Sequence, residues 1–382
     1  MQFLIIGDLH YGKEFSTYQR NKHIDPKIYQ QKTWFLKTDE CLRANITVVG
    51  EYVKKIKDVI KVIFVGDAID APMLEPDIPN YFKNVIDYCI FTFEDYLNSV
   101  DVVIGTHDCL TYGDSGTFLS LLDGYHNIVN VYSKPTVTNL TTDSAILYLP
   151  YRDSKNFVDF FDKEDLDRLR NIKKLLIFSH NNFCFEYAGN IPLMSILDFN
   201  DNLKIQPEFE IVFNGHIHNS YIKKNKNINF IQVGSVSPLA FDGNIFRDGG
   251  ICLYQIDEEL VEYKEDTDVL LKNEGVAFFK IDEENTIDKL KELLKNTYTT
   301  FFIKYEAGIK DLVDELCKEH ENILYICKYV KEMEPVVESE QEKNVKDDIS
   351  AQINIRHEKN VDICELFDKY LTEKYGFNMT SI

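Results

Sequence analysis

An α/β fold is predicted by three features of the chain. Short apolar runs alternate with longer polar or amphipathic stretches up to about residue 255, the pattern of strands interleaved with helices around a buried sheet. Five of those runs pass at once into a polar cluster headed by glycine or serine. The composition, 44% hydrophobic and 13% aromatic, supplies a core and excludes a disordered or collagen-like chain. At roughly 100 to 200 residues per domain, a chain of 382 residues holds about two or three domains.

In chain order the apolar runs are FLII (3–6), VIFV (62–65), VVI (102–104), AILYL (145–149), LLIF (175–178), IVFN (211–214), FIQV (230–233) and ICLY (251–254). Between the first two lies a long segment ending in the helix-like EYVKKIKDVI. Residues 80–98 form a second helix candidate carrying Tyr81, Val85, Tyr88, Phe91 and Phe93, a stripe suited either to dimerisation or to packing within one subunit. The acidic stretch DEELVEYKEDTD then reads as a boundary. Beyond it AFFKI (277–281), a helix with Ile287, Leu290, Leu293 and Leu294, and FFIKY (301–305) outline a small β-α-β unit, followed by a helical stretch from about 308 to 332. The charged segment from Glu332 to about Asp348 reads as a linker. Ile363, Leu366, Phe367, Tyr370 and Leu371 then recur at helical spacing, giving one apolar stripe that either docks on a partner or packs on its own domain. The expected division is 1–255, 256–335 and 336–382.

Charge limits the partners. The net charge of −21 repels phosphate backbones on average, so work on nucleic acid needs a local basic groove, metal ions or a basic partner. One locally basic segment exists, from Tyr11 to Lys32, with Lys13, Arg20, Lys22, His23, Lys27 and Lys32. It is either a contact for DNA phosphates or a solvated loop. The eight cysteines are scattered without a paired spacing, which fits reduced thiols and a cytoplasmic address. The first apolar run has no basic flank and stops at Gly7-Asp8, as a strand does and a signal sequence does not. No run approaches the ~20 apolar residues of a membrane span.

The five polar clusters are Gly7-Asp8-Leu9-His10, Gly66-Asp67, Gly105-Thr106-His107-Asp108, Ser179-His180-Asn181 and Gly215-His216-Ile217-His218. C-terminal strand ends lie along one edge of an α/β sheet, so residues far apart in sequence can meet there. Five of the nine histidines fall in these clusters, which reverses the usual reading of a lone histidine as a structural residue. Mixed imidazole and carboxylate donors favour Mn, Fe, Zn or Co over an all-oxygen Mg or Ca cage. A carboxylate such as Asp67 can bridge two cations about 3.5 to 4 Å apart, the arrangement used in phosphoester hydrolysis.

These blocks resemble the calcineurin-like metallophosphoesterase superfamily, whose pattern is GDxH, GDxxD, GNHD or GNHE, an isolated His, and GHxH. More narrowly the chain is similar to the SbcD family, the nuclease subunits of bacterial and phage SbcCD-type DNA repair complexes. GDLHYG, Gly66-Asp67-Ala68-Ile69-Asp70, LPYRD (149–153), the run from Gly215 through Gly234-Ser235 to Arg247-Asp248-Gly249-Gly250, and AFFKI-helix-FFIKY carry the likeness over roughly residues 1–330. It implies a β-sandwich flanked by helices, with a small α/β capping domain and a C-terminal helix.

The resemblance further implies one metal held by Asp8, His10, Asp67 and His218, and a second held by Asp67, His180 and His216, most often Mn2+. The family's Asn ligand is Thr106 here, so the second metal either binds weakly, uses an extra water or recruits an amide such as Asn181, and Thr106 itself is a ligand, a structural hydroxyl or a water bridge. His107 and Asp108 match the HD of the third block. Water would attack phosphorus in line, His107 would stabilise the developing charge or protonate the leaving oxygen, and Asp108 would orient it. The implied activity is Mn-dependent exonuclease and endonuclease cleavage of DNA in a homodimer, with an ATPase carrying long coiled coils as partner. The rival readings are a phosphomonoesterase or small-molecule phosphodiesterase on the same metal core, and a catalytically weak scaffold for the ATPase.

Overall fold

The computed structural model describes residues 1–12, 30–70, 78–109, 116–152, 157–185, 194–225, 227–239, 247–255, 269–273, 275–282 and 285–329. Strands β1 (Gln2–Ile6), β2 (Ile60–Val65), β3 (Leu97–Val103) and β4 (Val129–Tyr132) pair in parallel. Next come β5 (Thr136–Asn139), β6 (Ser144–Leu149) and β7 (Lys174–Ser179), the two-residue pair β8 (Phe183–Cys184) and β9 (Met194–Ser195), then β10 (Phe209–Asn214), β11 (Tyr221–Asn225) and β12 (Ile228–Gln232). All of these except β8 and β9 build a second sheet in the order β11-β12-β10-β7-β6-β5. Strands β13 (Arg247–Gln255) and β14 (Val269–Asn273) return antiparallel to the first sheet, which reads β14-β13-β1-β2-β3-β4. Strands β15 (Val276–Lys280), β16 (Thr300–Glu306) and β17 (Ile323–Tyr329) form a third, all-parallel sheet.

Side chains alternate across a strand, and here both faces of the central strands are apolar because both are covered. Phe3, Ile5, Ile63, Val65 and Val103 meet Ile146, Leu176, Phe178, Ile211 and Phe213 between the two large sheets. Leu4, Ile6, Val62, Phe64 and Val102 point the other way, onto helices α1 (Gln30–Ile56) and α2 (Ile78–Phe93), through Leu42, Ile46, Val49, Phe82, Val85 and Phe93. Leu147, Ile177 and Val212 of the second sheet face α3 (Lys163–Asn171) and α4 (Ile196–Leu203), through Leu169, Phe199 and Leu203. The result is helices, sheet, sheet, helices, with the cores between the layers. The third sheet lays Ala277, Phe279 and Ile303 on α5 (Ile287–Leu293) and α6 (Lys310–Glu319), while Val276, Phe278 and Phe302 join the core under α1.

Three boundaries differ from the sequence reading. The helix containing EYVKKI stops at Ile56, where Lys57 turns left-handed at φ 55°, so Ile60 belongs to β2. The candidate over 80–98 ends at Phe93, and after a short turn at Glu94–Tyr96 residues Leu97 and Asn98 open β3. The stretch 308–332 is helical only over Lys310–Glu319; Ile323–Tyr329, with two isoleucines and two tyrosines, pairs with β16 as β17. The acidic boundary at 257–268, most of the basic segment 11–32, the linker and the helix near 361–375 lie outside the described residues. Among the described residues no helix is long and apolar enough to cross a membrane.

A buried carboxyl sits at the start of β10, at the other end of the strand from the glycine-histidine cluster. Glu210 is fully buried; its Oε2 accepts from Asn200 Nδ2 at 2.6 Å, and Oε1 has no hydrogen-bond partner. Burial pushes its pKa from 4.5 up to about 7, with the Asn200 amide pulling only weakly back. Because the folded state holds this proton more tightly than the unfolded chain, its stabilising contribution is complete below pH 4.5 and is lost as pH rises through about 7. Glu210→Gln is therefore expected to gain about 3 kcal/mol relative to the parent protein between pH 4.5 and 8. Parallel urea titrations at the two pH values measure it; an unchanged difference excludes a neutral Glu210.

Candidate metal centre

The C-terminal ends of β1, β2, β3, β7 and β10 bring the five polar clusters together. The chain leaves these strands by unusual backbone turns: His10, Asp67 and His216 have φ of 50°, 47° and 72°, and Gly66 has φ 93°. Three non-glycine residues in the left-handed region at one strand edge are a strained arrangement that its surroundings must hold. They do so through the backbone. Leu9 N and His10 N both donate to Asp67 O at 3.0 and 2.8 Å, and His180 N donates to Leu149 O at 3.1 Å. His216 N donates to both Asp8 oxygens, at 3.2 and 3.1 Å. Close approach adds to this at Gly105, where a Cβ would lie 2.3 Å from Asp67 Oδ1.

Two donor groups carry the six candidate ligands, and a third gathers His10 with Asp70 and His107. Asp8, His10 and His218 form one: His10 Nε2 lies 3.1 Å from His218 Nε2, and His218 Nε2 lies 3.5 Å from Asp8 Oδ2. Asp67, His180 and His216 form the other, with His180 Nε2 3.1 Å from Asp67 Oδ2. The same Asp67 oxygen is 3.6 Å from His10 Nε2, so Asp67 stands between the groups. All six candidate ligands of the sequence analysis thus occur in these two groups.

The residues fit a bound cation. His180 Nδ1 lies 2.7 Å from Val65 O and donates to it, which turns Nε2 toward Asp67; against the opposing effect of burial, Asp67 and Asp8 push the His180 pKa up to about 9, so a bound cation would take the place of the Nε2 proton. That nitrogen is wholly buried and lies 3.1 Å from Asp67 Oδ2, so a cation between them would meet both. His10 is held likewise through Nδ1, 3.3 Å from Asp70 Oδ2. The carboxylates resist burial without a counter-charge. Burial pushes Asp8 up to about 8 although His180 opposes it, and burial with the Asp67 charge pushes Asp108 up to about 7. For Asp67 burial acts upward too, but His180 and His10 hold it below the usual carboxylate range. Burial and the His180 charge lower His216 to about 4, keeping it a neutral donor.

The third block departs from expectation. Asp108 is buried and its two oxygens accept backbone bonds from Ile69 N at 3.0 Å and Gly105 N at 2.8 Å, so it ties two site loops together and does not orient His107. The carboxylate beside His107 is Asp70: Oδ1 lies 2.8 Å from His107 Nδ1, while Oδ2 serves His10. The sequence analysis gave Asp70 no role, although it closes the Gly66-to-Asp70 block. His107 N donates to Asp67 Oδ1 at 2.7 Å, and its ring packs edge-on to His10 with centroids 4.8 Å apart. Thr106 Oγ1 lies 3.3 Å from His216 Nδ1, so the hydroxyl contacts a candidate ligand's ring. Asn181 is committed elsewhere: Nδ2 donates to Leu149 O, Pro150 O and Ser179 Oγ, and Oδ1 accepts from Arg152 N at 3.0 Å. The recruited-amide option for the missing Asn therefore fails at Asn181.

Among solved structures, the chain is similar to a dimetal phosphatase from Danio rerio (14% identity, 62% of this chain and 89% of that one, TM-score 0.36). It is also similar to zinc-complexed Vps29 from Entamoeba histolytica (15% identity, 68% and 87%, TM-score 0.28) and to a 5'-nucleotidase precursor from Thermus thermophilus (12% identity, 83% and 59%, TM-score 0.36). No curated protein sequence matches it. Residues 1–220, more than half of the chain and the whole of the two donor groups, match the calcineurin-like phosphoesterases, and the chain belongs to that family.

Proposed function

We propose that this chain is the Mn-dependent nuclease subunit of an SbcCD-type DNA repair complex, hydrolysing phosphodiester bonds as exonuclease and endonuclease. The observation that carries the hydrolytic part is Asp67 between two imidazole-rich donor groups, with His107 at their edge. The DNA part rests on the order of motifs, from GDLHYG through LPYRD to the small α/β unit. Asp8, His10, Asp67 and His218 would hold one cation, and Asp67, His180 and His216 the other. When bound, the two cations supply charge that neutralises phosphoryl oxygens and activates water.

The remaining chemistry belongs to the protein. Asp70 holds the His107 Nδ1 proton, so Nε2 is the nitrogen turned to a substrate oxygen; protonated, it donates to the leaving group, as a general acid does. His107 is half exposed, as a group meeting substrate must be, whereas Asp8, His10, Asp67 and His180 are buried. His107→Ala is expected to lower kcat by about 100- to 10,000-fold with both cations retained. Metal stoichiometry measured beside turnover checks this, and unchanged turnover excludes the role.

DNA, a coiled-coil ATPase and a second copy of the chain are the proposed partners. On α2, Val85 and Phe93 are spent on the core, but Phe91 is 73% exposed and Tyr81 37%, leaving an apolar face for the homodimer. Cleavage of end-labelled DNA in Mn2+, with and without the matching ATPase, tests the whole reading. Turnover of small phosphoesters without cleavage of DNA selects the phosphatase reading instead.

A further inference from the structure

Arg152 follows β6 in the LPYRD run, beside the second donor group. Its backbone N is held by Asn181 Oδ1 at 3.0 Å, next to His180 in sequence. The preceding residue, Tyr151, is buried; its N donates to Ile104 O at 2.9 Å and its ring centroid lies 5.6 Å from that of His216. The guanidinium is fixed as well: one terminal nitrogen donates to Tyr151 O at 3.0 Å, the other to Ser133 O at 2.6 Å, and the plane lies over the Phe160 ring at 5.5 Å.

No carboxylate meets it among the described residues. Arg43 pairs with Asp39, Arg168 with Glu164 and Asp165, and Arg170 with Asp167, whereas Arg152 has only carbonyls and a ring. Among the arginines with described side chains, Arg152 is the one whose guanidinium meets no described carboxylate, in a chain with 63 acidic and 42 basic residues. Burial without a counter-charge costs free energy, which an incoming anion recovers. Two of its five N–H donors are used, so three remain in a fixed fork that suits a phosphate.

We propose that Arg152 binds a phosphate of a polynucleotide substrate adjacent to the one being cleaved, on the His180 and His216 side of the centre. The inference rests on the nuclease reading above. It selects the neighbouring phosphate because Arg152 meets the centre through its backbone, at Asn181 Oδ1, while its guanidinium is anchored to one side on Tyr151 O and Ser133 O.

The test compares Arg152→Met, Arg152→Lys and the parent full-length protein in Mn2+ on two substrates, a short single-stranded oligonucleotide and bis(4-nitrophenyl) phosphate, which has no second phosphate. For Arg152→Met the ratio of kcat/KM on the oligonucleotide to that on the small diester is expected to fall about tenfold, through KM, and the logarithmic salt slope of KM to drop by about one. Arg152→Lys is expected to restore the slope and part of the ratio. A merely structural arginine would impair both substrates alike, so an unchanged ratio and slope overturn the assignment while the nuclease reading stands. A parent protein that hydrolyses the small diester but neither cleaves nor binds the oligonucleotide overturns both.

Discussion

Exchange of Asp67 for alanine is expected to lower Mn-dependent phosphodiester hydrolysis by at least about 1000-fold, the equivalent of about 4 kcal/mol of transition-state charge stabilisation. Asp67 belongs to one donor group and borders the other: its Oδ2 is 3.1 Å from His180 Nε2 and 3.6 Å from His10 Nε2. The same side chain fixes the third block, since Oδ1 accepts from His107 N at 2.7 Å. Alanine keeps the Asp67 carbonyl that anchors Leu9 N and His10 N, so the β1 loop is expected to survive. Mn2+ stoichiometry by calorimetry should fall below two while the unfolding midpoint changes little. Asp67→Asn separates the two duties, because an amide oxygen still accepts from His107 N but carries no charge. Two bound ions and near-normal turnover in Asp67→Ala would exclude a shared carboxylate.

The framework of this centre was legible because each donor follows directly on an apolar run. Parallel strands bring such residues to one edge whatever their distance in sequence, so Asp8, His180 and His216 could be placed together without knowing a single contact. The duties of the carboxylates were not legible. Asp70 and Asp108 each follow a strand by a few residues, and only the turn at Asp67 decides that Asp70 faces His107 while Asp108 turns back to Ile69 N and Gly105 N. Short edge strands escaped as well: VNVY and TVTN are only four residues each and lie partly exposed, too brief to show a period. The segment Ile323–Tyr329 was misread because the short apolar run Ile323-Leu324-Tyr325-Ile326, close after a helix, has no period that tells strand from helix. Pairing with β16, a tertiary contact, makes it a strand.

Gly66→Ala is expected to damage the centre without touching a donor. Gly66 sits at φ 93°, and a Cβ there would lie 2.2 Å from His180 Nδ1 and 2.4 Å from its Cγ. Something must move, and the ring has no easy retreat: Nδ1 is held by Val65 O, and Gly215 closes the other side, where a Cβ would meet both Val65 O and His180 Nδ1. The imidazole would swing, losing the bond to Val65 O and withdrawing Nε2 from Asp67. A displacement of about 1 Å at a catalytic group costs on the order of 100-fold in rate. The left-handed backbone adds about 1 to 2 kcal/mol of destabilisation. Gly124 supplies the control, for it too has positive φ, 74°, but nothing within 4 Å of a Cβ. Gly124→Ala should therefore show the backbone cost alone in chemical denaturation, with kcat/KM and Mn2+ affinity unchanged. Equal activity in the two variants would mean that His180 tolerates the intrusion, and that its position is not what the Gly66 turn protects.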